Sequence, residues 1–192
     1  MIPEVRNTCM KVDGLRGNVS TRTNANGVPS RSLGLVRGTS TYPRSDSVVY
    51  IHLIFSTKNR EPFLRERAMR ESTHSYLGEI SKRLDCPPMI VGGMPDHVHL
   101  LARFGRTITQ ADWVKELKRA STIWIREQRA ELQSFHWQSG YGDFSVSESN
   151  LEDVKSYIRT QEEHHSVRTF QDEYRAFLTK HRIEYDERYV WD

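Results

Sequence analysis

The sequence predicts an α+β protein built on one antiparallel β-sheet. Between residues 48 and 146, short runs rich in β-branched and aromatic residues alternate with longer segments in which apolar residues recur every three or four positions. Their order is β-α-β-β-α-β, and two more helical segments follow. This is the order of a split βαβ, ferredoxin-like (RRM-like) sheet, and we expect helices on one face and a C-terminal helical extension.

Four strands are predicted along this order. Val48–Phe55 is a run of β-branched and aromatic residues, which is typical of a central strand. The second strand is Met89–Met94, and the third covers about residues 96–103. The fourth strand, Gly140–Val146, begins with glycines on both sides of Tyr141.

Four helices are predicted from apolar residues at helical spacing. Residues that favour the start or the end of a helix stand next to these segments. The predicted helices cover about residues 65–84 before Pro87-Pro88, residues 110–131 after Thr109, residues 149–164 with Ser149 as the cap, and a last segment that begins at Thr169.

Length and composition limit the classes of protein that the chain can form. With 192 residues, it is long enough for one domain with a core. Charged residues make up 28% and hydrophobic residues 36% of the chain, and no apolar run approaches the roughly 20 residues of a membrane helix. The first residues lack the apolar stretch of a secretory signal, so we expect a soluble, cytoplasmic protein.

The net charge of +3 is unevenly distributed along the chain. Residues 1–45 contain seven Lys and Arg against two Asp and Glu, whereas residues 46–192 contain 21 against 23. Residues 1–46 also lack any apolar period, so we expect a disordered basic tail there and one folded domain over residues 47–192. Because that domain is not basic overall, contact with nucleic acid requires a local patch or a bound metal.

The stretch Pro95-Asp96-His97-Val98-His99-Leu100-Leu101 places two histidines in an otherwise apolar strand. Side chains alternate between the faces of a strand, so His97 and His99 point to the same side, with Cβ atoms about 6 to 7 Å apart. Two imidazoles at this spacing can bind one divalent cation and leave positions open for water or substrate oxygens. The pattern is equally compatible with two half-buried histidines on a polar sheet face.

Tyr157 and Gln161 lie one turn apart on the predicted third helix, at the border of its apolar stripe. Their side chains can therefore face one point. Tyr157 is also compatible with ordinary burial at a helix interface, and Gln161 with a surface amide.

Positive charges cluster at two places in the predicted domain. Lys58 and Arg60 lie in the polar loop after the first strand, and a basic stripe follows one face of the second helix. Such a stripe is either a solvated helix face or a surface that follows nucleic-acid phosphates. The stripe consists of Lys115, Lys118, Arg119, Arg126 and Arg129.

Together these segments resemble the single-tyrosine HUH transposases of the insertion sequence 200/605 group, which act on single-stranded DNA. The resemblance covers about residues 39–192, and it depends on the order and spacing of four segments. The N-terminal extension departs from the family pattern. The four segments are Phe55-Ser56-Thr57-Lys58-Asn59-Arg60, Pro95–Leu101, Gly140–Ser147 and Tyr157–His165.

The resemblance implies a role for each candidate residue. His97 and His99 would bind a divalent metal, Mg²⁺ or Mn²⁺, with Gln161 as the third ligand. Tyr157, on the helical extension, would attack a DNA phosphodiester, keep the 5′ phosphate as a phosphotyrosine and release a 3′-OH for a second transfer. A cation suits this reaction because it stabilises both the phenolate and the charge that develops on the phosphate. Four other tyrosines lack a nearby amide on a predicted helix face: Tyr141, Tyr174, Tyr185 and Tyr189.

The resemblance also implies the partners of the protein. Family members recognise hairpins at the ends of the mobile element, so the expected substrate is single-stranded DNA with hairpin ends. The working unit would be a homodimer with composite sites, in which His97 and His99 of one subunit meet Tyr157 of the other. The predicted phosphate contacts are Lys58, Arg60, Lys115, Lys118 and Arg119.

Two other functions are compatible with the sequence. A noncatalytic single-strand binder on the same sheet would expose aromatic residues on the central strands, where this sequence has histidines. A domesticated, repeat-associated nuclease would share the chemistry of a transposase without its mobility. The DNA that flanks the gene would distinguish the nuclease from an active transposase.

Overall fold

The computed structural model of the chain describes residues 46–164, 169–188 and 190–191. The predicted disordered tail, residues 1–46, lies outside these described residues except for Asp46. No helix of the described part of the chain is long and apolar enough to cross a membrane.

The described chain contains a four-stranded sheet in the predicted order. The strands pair in the order β2-β3-β1-β4, and every neighbouring pair is antiparallel. This confirms the ferredoxin-like topology, because the third strand lies between the first two and the fourth strand pairs with the other side of the first. The strands are β1 Tyr50–Ser56, β2 Pro88–Met94, β3 His97–Arg103 and β4 Gly142–Val146.

Two long helices, α1 Arg67–Arg83 and α2 Gln110–Gln128, cover one face of the sheet. The main core lies between them and the strands, where Ile51, Leu53 and Phe55 alternate with residues of the opposite face. The predicted cap of α2 is confirmed, since the Thr109 hydroxyl accepts a hydrogen bond from the backbone N–H of Asp112 at 3.1 Å.

The C-terminal extension covers the other face of the sheet. It consists of α3 Leu151–Arg159, α4 Gln161–His164 and α5 Phe170–Lys180. Leu151 and Ile158 of α3 join one buried cluster on this face, and α5 joins a second cluster around Ile54 and Phe144. The sheet is therefore enclosed between two helical layers.

The structure corrects the predicted third helix in two ways. The segment predicted as one helix over residues 149–164 is broken at Thr160, whose φ of −100° and ψ of 24° separate α3 from α4. Ser149 does not cap α3, because it lies inside a 3₁₀ turn, Glu148–Asn150, that precedes the helix. This turn shortens the helix and carries the chain from β4 across to the second face.

Candidate active site

His97 and His99 lie together on the β3 face that points away from α1 and α2. Both side chains are buried, and their ring centroids are 5.2 Å apart. The neighbouring strand β1 contributes His52 to the same layer, where its Nε2 lies 3.0 Å from His99 Nδ1. The predicted common orientation of His97 and His99 is thus present, and a third histidine extends the cluster.

Hydrogen bonds hold the two β3 imidazoles through the same ring atom. His97 Nδ1 lies 2.8 Å from Asp96 Oδ1, and His99 Nδ1 lies 3.0 Å from His52 Nε2. In metal-binding histidines, a bond of this kind fixes the tautomer and the ring orientation, and it leaves the other nitrogen for the metal. The Nε2 atoms of His97 and His99 are therefore the candidate ligand atoms.

The charges around these bonds favour that assignment. Burial acts to raise the pKa of Asp96, but the hydrogen bond with His97 and the nearby charge of Arg60 hold it below its ordinary value. Burial, with the nearby charges of His181 and Lys180, lowers the pKa of His52 to about 3. Near neutral pH, Asp96 is thus an ionised acceptor and His52 a neutral imidazole.

Tyr157 lies next to the histidines because α3 packs closely on the sheet. Its ring centroid is 5.7 Å from that of His99 and 6.1 Å from that of His52. The approach depends on Gly92 of β2, where an added Cβ would lie 2.7 Å from Ile158 Cγ2 and 2.9 Å from Ile158 O. Gly92 therefore stands at the point where the backbone of α3 comes close to β2.

Gln161, the first residue of α4, reaches the same pocket and is buried. Its Oε1 lies 3.4 Å from His97 Nε2, and its Nε2 donates to Glu173 Oε1 at 3.2 Å and to Tyr157 O at 3.5 Å. The structure thus brings His97, His99, Tyr157 and Gln161 into one pocket of a single chain.

Glu173 of α5 belongs to this pocket and was not singled out from the sequence. Its Oε2 lies 4.0 Å from His99 Nε2, and single ligand atoms of His97, His99 and Glu173 lie within 4.8 Å of one another. Burial raises the pKa of Glu173 to about 7. The sequence did contain a sign that Glu173 is buried, because it stands three residues after Phe170 and four before Phe177, on the apolar face of α5.

The pocket is covered by aromatic side chains. The Phe170 ring lies 4.4 Å from that of His97, and the Phe177 ring lies 5.3 Å from that of His52. Arg60 lies at the rim, with its guanidinium 5.7 Å from the Phe170 ring centroid and its Nε 3.5 Å from Asp96 Oδ2. The Tyr157 hydroxyl oxygen is buried in this arrangement.

A cleft of about 480 Å³ opens between β4, α3 and α5. Tyr157 and His52 are among the residues that line it, and Lys180 brings positive charge to its wall. Its volume lies within the range of small-ligand sites, so the cleft is large enough for a nucleotide.

The predicted phosphate contacts occupy two separate regions. Lys58 is exposed beside the rim residue Arg60. Lys115, Lys118 and Arg119 lie on α2, across the sheet from the histidines, and Arg119 forms an ion pair with Glu116 at 2.8 Å. The sequence could not show this separation, because the side of the sheet that α2 covers depends on the crossover between β3 and β4.

Lys118 has structural partners that the sequence did not indicate. Its Nζ donates to the backbone carbonyls of Gln138, Ser139 and Gly140 at 2.8, 3.2 and 2.7 Å. The ammonium also lies 5.2 Å from the Phe55 ring centroid. Lys118 therefore ties the segment before β4 to α2, whereas its contact with DNA stays a prediction.

Lys118→Met is expected to lower the free energy of unfolding by about 1–2 kcal/mol, because it removes three charge-assisted hydrogen bonds, of which the one to the Gln138 carbonyl is part-buried. Urea denaturation measures the change. Lys115→Met is the matched control, since Lys115 is exposed and its loss is expected to change stability by less than about 0.5 kcal/mol. Equal stability of the two variants would contradict the structural role of Lys118.

The donor atoms of the pocket suit a divalent metal. The pocket contains two imidazoles, the Gln161 amide oxygen and a buried carboxylate, and Mn²⁺ accepts both nitrogen and oxygen ligands. Mg²⁺ prefers oxygen, which the amide, the carboxylate and a substrate phosphate can supply. The residues present therefore fit either ion.

Comparison with known proteins gives a family match and two structural similarities. The sequence profile of the family described as "Transposase IS200 like" matches residues 45–161, a range that contains His97, His99, Tyr157 and Gln161. A protein from Deinococcus radiodurans R1, assigned as a transposase, is 25% identical and aligns with a TM-score of 0.49 over 62% of this chain and 95% of that one. A REP-associated tyrosine transposase bound to a REP hairpin is 13% identical, with a TM-score of 0.45 over 66% and 73%. No curated protein matches the chain.

Proposed function

Because the chain belongs to the IS200-like transposase family, we propose that it cleaves and rejoins single-stranded DNA through a covalent bond to Tyr157. The observation that carries this proposal is the convergence of the two β3 histidines, Tyr157 and Gln161 in one pocket. These residues come from three separate elements, β3, α3 and α4. Ordinary packing does not require a tyrosine, an amide and two imidazoles to meet there.

Tyr157 is the nucleophile in this proposal. Its phenolic oxygen gives up its proton to solvent and attacks the phosphorus of one phosphodiester, so a new P–O bond to the tyrosine forms and the bond from phosphorus to the 3′ oxygen breaks. The 3′ oxygen leaves and takes up a proton, and the 5′ phosphate stays on Tyr157. The released 3′-OH of another strand then reverses the step at the phosphotyrosine, which rejoins DNA without an external energy source.

His97 and His99 would hold Mg²⁺ or Mn²⁺ through Nε2, and Gln161 would hold it through Oε1. The bound ion would supply positive charge to the phosphate oxygens and to the phenolate. Asp96 orients His97, and His52 orients His99, in each case through a hydrogen bond at the Nδ1 atom of the β3 histidine. Gly92 lets α3 approach closely enough to place Tyr157 beside them.

The expected substrate is single-stranded DNA with hairpins at the ends of the mobile element. The cleft beside Tyr157 would accept a nucleotide next to the cleaved phosphate, with Lys180 at its wall. Arg60 lies beside Phe170 and Asp96, and together with the exposed Lys58 it would contact the strand. The α2 residues lie on the far side of the sheet and would contact only a distant part of the hairpin.

Cleavage of single-stranded DNA is expected to require a divalent metal, because the positive charge of the ion would offset the negative charge that develops on the phosphate and on the phenolate. Labelled oligonucleotides with the hairpins that flank the gene, single-stranded or duplex, are incubated with Mg²⁺, Mn²⁺ or EDTA. Single strands should be cut with either metal, and duplexes should remain intact. Undiminished cleavage in EDTA would contradict the metal role.

We further propose that the working unit is a homodimer whose sites are shared. In the described chain α3 packs on its own sheet, but a domain swap lets the same contacts form with a partner. The 3₁₀ turn Glu148–Asn150 is where the chain would redirect. His97 and His99 of one subunit would then face Tyr157 of the other.

Mixing inactive His97→Ala with inactive Tyr157→Phe is expected to restore cleavage if the sites are shared. Each heterodimer then contains one pocket with an intact histidine pair and an intact tyrosine. Subunit exchange is verified with differently tagged chains. If exchange occurs and the mixture stays inactive, each site lies within one chain.

A further inference from the structure

Glu173 is placed in the pocket by α5, outside the segment that matches the family. Its side chain is 11% exposed, although an ionised carboxylate is costly to bury without compensating charge or hydrogen bonds. The residue stands on the same helix face as Phe170 and Phe177, which cover His97 and His52. Its position is therefore fixed by the packing of α5 on the sheet.

The two carboxylate oxygens of Glu173 have different surroundings. Oε1 accepts a hydrogen bond from Gln161 Nε2 at 3.2 Å, and this bond turns the Gln161 Oε1 toward His97. Oε2 faces His99 Nε2 at 4.0 Å. In the tautomer in which His99 Nδ1–H donates a hydrogen bond to His52 Nε2, the Nε2 lone pair of His99 faces this carboxylate oxygen.

The spacing of these atoms suits coordination of one ion. Two atoms that are each about 2.1 Å from an octahedral ion lie about 3 Å apart when adjacent and about 4.2 Å apart when opposite. The distance from His97 Nε2 to Gln161 Oε1 is 3.4 Å, and that from His99 Nε2 to Glu173 Oε2 is 4.0 Å. The second distance is close to that of an opposite pair, and the first is a few tenths of an ångström longer than that of an adjacent pair. Because the ligand atoms of His97, His99 and Glu173 lie within 4.8 Å of one another, small movements of these side chains would bring them onto one ion.

We propose that Glu173 is a metal ligand in the DNA-free protein, so that α5 closes over the site through the ion itself. This inference rests on the proposed function, because it requires the metal site of His97, His99 and Gln161. A fourth protein ligand with a negative charge raises the affinity for hard divalent ions such as Mg²⁺ and Mn²⁺. It also couples occupancy of the site to the position of α5.

Metal affinity without DNA tests the proposal. Glu173→Gln keeps the size of the side chain and removes its charge, and Glu173→Ala removes the donor atom. By calorimetry with Mn²⁺, we expect affinity to fall about 10-fold to 100-fold in Glu173→Gln and at least as far in Glu173→Ala. Glu184→Gln is the control, because Glu184 is exposed and the chemical change is identical.

Hydrogen exchange separates ligation from a purely structural role. With Glu173 as a ligand, Mn²⁺ slows amide exchange in residues 170–180 of the wild type, and this protection is lost in Glu173→Gln. A side chain that only orients Gln161 would leave the Mn²⁺-dependent protection in place. That result would overturn the proposal.

The outcomes also separate this inference from the proposed function. If the wild type and Glu173→Gln bind Mn²⁺ equally while His97→Ala does not, Glu173 is not a ligand and the histidine site stands. If the wild type itself does not bind Mn²⁺, both the inference and the metal role in the proposed function fail.

Discussion

Tyr157→Phe is expected to abolish the covalent DNA adduct and to lower cleavage by several orders of magnitude, because it removes the oxygen that we propose attacks the phosphorus. The fold should persist. The Tyr157 ring packs against His52, His99 and Phe177, and phenylalanine keeps these contacts. Denaturing gels of radiolabelled DNA measure the adduct, and thermal unfolding measures stability.

Tyr141→Phe is the matched control for this substitution. Tyr141 is exposed, precedes β4 and lies beside Lys118, whose Nζ is 5.4 Å from its ring centroid. Its hydroxyl is therefore not part of the histidine pocket, and the variant should keep the adduct. An adduct that persists in Tyr157→Phe and disappears in Tyr141→Phe would reassign the nucleophile.

His97→Ala is expected to remove metal binding and, with it, cleavage. In the wild type, Mn²⁺ at about 100 times its dissociation constant should stabilise the fold by about 2.7 kcal/mol, because it binds only the native state. His97→Ala removes a proposed ligand nitrogen and leaves Asp96 without its imidazole partner. The stabilisation by Mn²⁺ should then fall to near zero.

Thermal unfolding with and without Mn²⁺ measures this effect independently of DNA. His136→Ala is the control, because His136 is exposed and its ring is held by Arg126 and Ser134 outside the pocket. Its response to Mn²⁺ should equal that of the wild type. If His97→Ala responded like His136→Ala, a metal site at His97 would be ruled out.

The sheet and its helices could be predicted because local pattern and topology agree. The alternation of side chains between the two faces of a strand predicted that His97 and His99 share one face of β3, and in the structure they do. The apolar stripes of α1 and α2 are strong enough to identify both helices within a few residues. These features depend on residues close together in sequence.

The remaining parts of the pocket depend on contacts that are distant in sequence. His52 meets His99 only because β1 pairs with β3, and Glu173 arrives through α5, 12 residues after Gln161. No proline or glycine stands near Thr160 to indicate a break, so the spacing of the apolar residues predicted one continuous helix. Strand pairing and tertiary packing decide all three features.

Mapping the residue that is linked to DNA tests the proposed chemistry most directly. The wild-type protein is incubated with a single-stranded hairpin end and Mn²⁺, digested with protease and nuclease, and analysed by mass spectrometry. We expect a nucleotide attached to Tyr157, only when metal is present. Attachment to any other residue, or the same adduct in EDTA, would contradict the proposed metal-dependent attack by Tyr157.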